Sequence, residues 1–119
     1  MTTVQQPTVG AAGFLAALAA TGHDDVTQQG ELAVFTYRVE VGRHAGEEIK
    51  LALAIPPDWP VSPPPGPHVS PRLGHPDGAV HASPLGAEWE YWSRPAQNWV
   101  TDRSMRAYLR HLRTLFARS

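Results

Sequence analysis

Leu32–Val41, LAVFTYRVEV, and Glu48–Ile55, EIKLALAI, decide the fold. In the first run Ala33, Phe35, Tyr37, Val39 and Val41 fall on one face, and Thr36, Arg38 and Glu40 on the other. In the second, Ile49, Leu51, Leu53 and Ile55 point one way, and Glu48 and Lys50 the other. Successive side chains leave a strand in opposite directions, so this period of two marks strands that bury one face. Gly42-Arg43-His44-Ala45-Gly46 between them is a glycine-bounded turn. The two runs therefore predict an antiparallel hairpin.

On the N-terminal side, Gly30-Glu31 ends a poorly marked strand at Asp25–Gln29. Before it, Pro7-Thr8 opens a helix with Thr8 as N-cap. Alanine, phenylalanine and leucine favour helix through Ala20, with Phe14, Leu15 and Leu18 on one edge and Gly22 placed to end it. Residues 1–7 are expected to be frayed. The apolar run Ala11–Ala20 is too short for a bilayer span and has no basic residue before it, so neither a transmembrane segment nor a secretory signal is expected.

On the C-terminal side, Met105, Tyr108, Leu109, Leu112, Leu115 and Phe116 recur at spacings of three and four. They predict an amphipathic helix from Asp102, capped by Thr101 or Asp102. Arg103, Arg106, Arg110 and Arg113 recur at the same spacings and form a basic stripe beside the apolar one. Such a stripe is ordinarily a solvated face, and it also suits an acidic partner.

Between hairpin and helix lies Ile55–Trp99, which holds eleven of the twelve prolines, all four tryptophans and three of the six histidines. Proline removes a backbone donor and blocks the preceding turn, so the segment is not mainly helical. Its aromatic density is equally wrong for disorder. An ordered, irregular segment held by aromatic anchors is expected, with a weak strand at Pro67–Ser70 confined by its prolines to a sheet edge. Trp59 and Trp99 are assigned to the core. Trp89 and Trp92 stay open between packing the segment on the sheet and an exposed loop, which flanking Glu88, Glu90 and Arg94 suggest; exposed, they would bind a partner or support self-association. Helix, antiparallel meander, irregular segment and helix make one α+β domain over residues 1–119.

Composition narrows the function classes. A formal net charge of -1 gives no bulk attraction to nucleic acid or to an anionic membrane. The absence of cysteine removes disulfides, thiolate metal sites and thiol nucleophiles, and fits a cytoplasmic protein. No histidine pair has a recognised metal-ligand spacing, so neither metal nor cofactor is expected.

The motif order resembles that of ubiquitin-conjugating enzymes. Pro56-Pro57-Asp58-Trp59-Pro60-Val61-Ser62-Pro63-Pro64 resembles the family's P-x-x-Y-P-x-x-P-P element, with Trp59 at the tyrosine position. His75-Pro76-Asp77 resembles its His-Pro-Asn motif, and Trp92-Ser93-Arg94-Pro95 its W-S-P segment with one insertion. The resemblance covers Gly10 to Phe116 and is closest to the divergent bacterial branch, the prokaryotic family E type, whose members are often encoded beside ubiquitin-like and activating-enzyme-like proteins. It implies the UBC/RWD-like fold and partners of that pathway.

The same resemblance implies loss of the usual activity. Where the family places its catalytic cysteine, shortly after the His-Pro-Asn motif, Gly78-Ala79-Val80 is followed by His81. Asp77 replaces the asparagine that polarises the oxyanion, and an ionised carboxylate cannot donate a hydrogen bond. A catalytically inactive relative that binds a ubiquitin-like, activating-enzyme-like or conjugating-like protein is therefore expected, with Trp89, Trp92, Arg103, Arg106 and Arg110 as the contact residues. The alternative is a histidine-dependent enzyme built on the His68–Ser83 loop, working through a metal held by His68, His75 and His81 with a carboxylate such as Asp77, or through a His/Ser pair. In it His81, His75 and Ser83 would be catalytic, with a histidine as base for Ser83 or itself as acceptor. His75 has an ordinary role open to it as well, a hydrogen bond to backbone in the turn around Pro76.

Overall fold

The computed structural model describes residues 9–119. The element order is α1 (Gly10–Ala20), β1 (Thr27–Gln29), β2 (Leu32–Arg38), β3 (Glu48–Ala54), β4 (Pro67–Ser70), β5 (Val80–Ala82), β6 (Glu90–Trp92), a 3-10 turn at Trp99–Thr101 and α2 (Met105–Ala117). All six strands pair antiparallel in one sheet, in the order β1-β2-β3-β4-β6-β5. The fold is thus α+β. The expected fraying of residues 1–7 and the Thr8 cap lie outside the described residues.

The hairpin forms as its alternation dictates. Leu51 faces Phe35, and Ile49 faces Tyr37 across the β2–β3 ladder. Val69 continues the row on β4. These side chains are buried against Phe14 and Leu18 of α1 and Tyr108, Leu112, Leu115 and Phe116 of α2. Tyr37 and Trp92 both pack on the Phe116 ring, with centroids 5.4 and 5.2 Å away. Helix α1 ends in a Schellman motif. Gly22, at φ +96°, donates to the Ala19 carbonyl and His23 to that of Leu18.

The proline-rich connection between β3 and β4 is clamped by aromatics, as its composition predicts. Trp59 meets Phe14 edge-on at 5.0 Å and Trp99 at 5.4 Å. Trp99 Nε1–H donates to the Pro60 carbonyl at 2.9 Å. Both tryptophans are buried.

Three expectations need correction. Strand β4 is not at an edge: it lies between β3 and β6. Its prolines permit this because Pro67 is the first strand residue and Pro71 falls beyond the last. The cap of α2 is Ser104, whose hydroxyl accepts the Ala107 N–H at 3.1 Å, because the 3-10 turn takes up Trp99–Thr101. Third, Trp92 is not a surface residue. It stands on β6 beneath α2 with 0% exposure.

Candidate functional site

The β5–β6 hairpin brings the sequence-predicted site residues to the sheet but divides them between its two faces. The ladder aligns Ala52, His68, Tyr91 and His81 in one cross-strand row, on the face away from the helices. The neighbouring row runs Leu51, Val69, Glu90 and Ala82, toward the helices. Strand alternation therefore sends Tyr91 outward and Glu90 and Trp92 inward.

His75 belongs to the inner side. It packs against Trp92, with centroids 5.0 Å apart. Its Nε2–H donates to the Leu115 carbonyl near the end of α2 at 3.0 Å, and its Nδ1 accepts the Asp77 N–H at 3.1 Å. Both ring nitrogens are engaged, so no lone pair is free to take a substrate proton. This His75 is a clamp between the turn and α2. Glu90 is a second inner clamp. One carboxylate oxygen accepts the N–H groups of Leu73 and Gly74 and the Trp92 indole, at 2.8, 2.6 and 3.1 Å. Arg94 reaches the Gly78 carbonyl, and its own carbonyl accepts from His111 Nε2 at 2.9 Å.

On the outer side, Ser83 Oγ lies 2.9 Å from His68 Nδ1 and accepts the Leu85 N–H at 3.2 Å. Burial pushes the His68 pKa down, which holds its imidazole neutral near pH 7. The ring rests on Tyr91, centroids 4.7 Å apart. No carboxylate bonds His68 among the described residues. His81 is exposed on edge strand β5, 6.1 Å from the Tyr91 ring, with no hydrogen-bond partner there. Half-buried Trp89 joins Arg72, His81 and Ser83 in lining a cleft of about 230 Å³. So Ser83 meets His68; His75 lies on the opposite face from both His68 and His81.

Asp77 closes the turn. Arg118 donates to it at 2.8 Å and holds its carboxyl below the usual range, so the group is a fixed anion at neutral pH. An anion there would oppose charge developing on a carbonyl oxygen. Among the described residues no three His, Asp or Glu side chains stand close enough together to hold a metal ion. Nor is any helix there long and apolar enough to cross a membrane.

The remaining predicted contact residues separate. Arg103 is exposed before α2 begins. Arg106 and Arg110 line a groove between α1, β2 and α2. Sequence reasoning missed the His68–Ser83 pair and the buried Glu90. A signal for Glu90 does exist: in Trp89-Glu90-Tyr91-Trp92 a period of two places Glu90 on the face of Trp92. For the His68–Ser83 pair there is none, because the pairing of β6 with both β4 and β5 creates it. Set beside known proteins, the chain matches no family model, no curated protein and no solved structure.

Proposed function

We propose that this chain is a catalytically inactive ubiquitin-conjugating-enzyme-like domain. In this reading it acts in the cytoplasm of a bacterium and binds a ubiquitin-like protein, or the activating or conjugating partner of one. The support is the order of parts: a helix, an antiparallel meander, the Pro56–Pro64 element between β3 and β4, the His75-Pro76 turn, and a helix after Trp92–Pro95. The observation that carries the loss of activity is at the turn. His75 serves as a clamp, Asp77 is held as an anion by Arg118, and the strand that follows offers His81 where a thiol would be needed.

The test is co-purification of the full chain with the products of the genes adjacent to its own and with a panel of bacterial ubiquitin-like, activating-enzyme-like and conjugating-like proteins. A stoichiometric complex with one of them, carrying no reductant-sensitive covalent bond, is expected. Failure to bind any of them sinks the reading.

A second reading has one specific observation in its favour, the 2.9 Å contact of Ser83 with His68. A neutral imidazole beside a hydroxyl can act as base for a serine nucleophile. A fluorophosphonate probe that labels the protein but not its Ser83→Ala variant would establish it. An unlabelled protein removes it.

A further inference from the structure

The charge of the chain is strongly segregated. Six of the ten basic residues, but only Asp102 of the eleven acidic ones, lie from Arg94 onward. Helix α2 itself contains no Asp or Glu. Its basic face does not simply meet solvent. Arg106, Arg110 and Arg113 form one wall of a groove of about 590 Å³, and Arg38 of β2 stands on the other wall. The only carboxylate in the lining is Glu40, which Arg113 holds at 3.3 Å. Arg110 bonds Asp102 at 3.0 Å outside the groove. Arg38 and Arg106 pair with no carboxylate among the described residues, and residues 1–8 contain none. The groove is thus bordered by two arginines without a carboxylate partner among the described residues, Arg106 on α2 and Arg38 on β2, and by two more held only by exposed ion pairs, which are weak.

We infer that this groove is a binding site for an extended acidic peptide segment. Arg106 and Arg110 are four residues apart, about 6 Å along the helix axis. Alternate side chains of an extended peptide are spaced by about 6.6 Å, so two carboxylates on one side of such a segment meet successive arginines. The guanidinium fork suits carboxylate bidentately. Leu109 and the edge of Tyr37 offer an apolar strip for a side chain between the acids. A long polyanion such as a nucleic acid fits less well, because ten of the eleven carboxylates lie in the rest of the chain and would repel it beyond the groove. The inference does not rest on the partner being a ubiquitin-like protein.

The probe is a fluorescein-labelled peptide of alternating Glu and Ala, titrated with the full chain and followed by anisotropy. Saturable binding that weakens as salt rises is expected, with no binding of the peptide in which Gln replaces Glu. Arg38→Ala and Arg106→Ala should each weaken it by about tenfold, and Arg103→Ala, the same charge lost outside the groove, should not. All three sites are exposed, so unchanged thermal melting verifies the fold. Equal weakening by Arg103→Ala would mean bulk charge and overturn the inference. So would the absence of binding, or a single-stranded oligonucleotide binding more tightly than the peptide. Co-purification of the Arg38→Ala, Arg106→Ala double variant with a pathway partner separates the two proposals, since either can fail without the other.

Discussion

The two faces of the sheet treat their histidines differently. On the helix-bearing face, His75 has both nitrogens bonded, and beside it the buried Glu90 gathers three N–H donors on one oxygen. On the opposite face the row from Ala52 through His68 and Tyr91 to His81 grades from fully buried to exposed. His81 at its end has no partner among the described residues. A buried polar group without a partner is costly, so a covered face must close its hydrogen bonds within the protein. An open edge faces no such demand. Inner substitutions should therefore register in stability, and edge substitutions in binding.

The largest contrast is between Trp92 and Trp89, three residues apart. Trp92→Ala removes a ring with 0% exposure that packs on Phe116 and His75 and donates to Glu90. A loss of about 3–5 kcal/mol in unfolding free energy is expected from denaturant titration. Half-buried Trp89→Ala should cost less than about 1.5 kcal/mol. A similar cost for both would erase the distinction between the faces. The close fit around Trp92 extends to its backbone: a Cβ on Gly66 would strike the Trp92 carbonyl oxygen.

Next is His75. His75→Ala removes one of two donors to the Leu115 carbonyl, which keeps the Arg118 N–H at 3.3 Å, and leaves the Asp77 N–H without its acceptor, so about 1–3 kcal/mol should be lost. If His75 were instead a base poised for chemistry, its removal would cost activity and leave stability largely intact.

These two sites also show what was legible beforehand. Strands β2 and β3 can be read because each is seven residues long and Phe35–Arg38 and Glu48–Leu51 alternate apolar and polar side chains. Strands β5 and β6 have three residues each, too few for a period to show. The burial of Trp92 is open in the sequence because its charged neighbours suggest exposure, while one of them, Glu90, is itself buried by three donors contributed in part by the chain at Leu73-Gly74. The His68–Ser83 contact spans fifteen residues and depends on strand register, which composition does not encode. Proline and tryptophan in Ile55–Trp99 did reveal an ordered, aromatic-clamped connection, because those residue types limit what the backbone can do.

Tyr108 breaks the inner-face rule. Its hydroxyl is buried with no hydrogen-bond partner among the described residues, and burial pushes its pKa up. Tyr108→Phe removes the unpaired group and keeps the ring beside Trp99, so stability should rise by about 1 kcal/mol. A loss of stability would reveal a partner for the hydroxyl.

The pH dependence samples both faces at once. Burial lowers the pKa of His68 on the outer face and of His111 on α2. A histidine with a lowered folded pKa binds fewer protons folded than unfolded. Its contribution is therefore fully present above the ordinary value of about 6.5 and is lost as pH falls below it toward the folded value. The melting temperature should decline on that interval, and a His68→Gln, His111→Gln double variant should flatten the decline. A slope unchanged in the double variant would assign the acid sensitivity elsewhere.

The smallest stability effect is expected at the open end of the outer row. His81→Ala removes an exposed imidazole with no hydrogen bond among the described residues, and its unfolding free energy should stay within about 0.5 kcal/mol of the parent. The same variant should still weaken capture of a protein partner if β5 and the Trp89 cleft meet one, because the imidazole is then buried on binding rather than on folding. A melting shift as large as that of His75→Ala would mean that the edge is closed by contacts within the domain, and the division between a sealed inner face and an open outer edge would not hold.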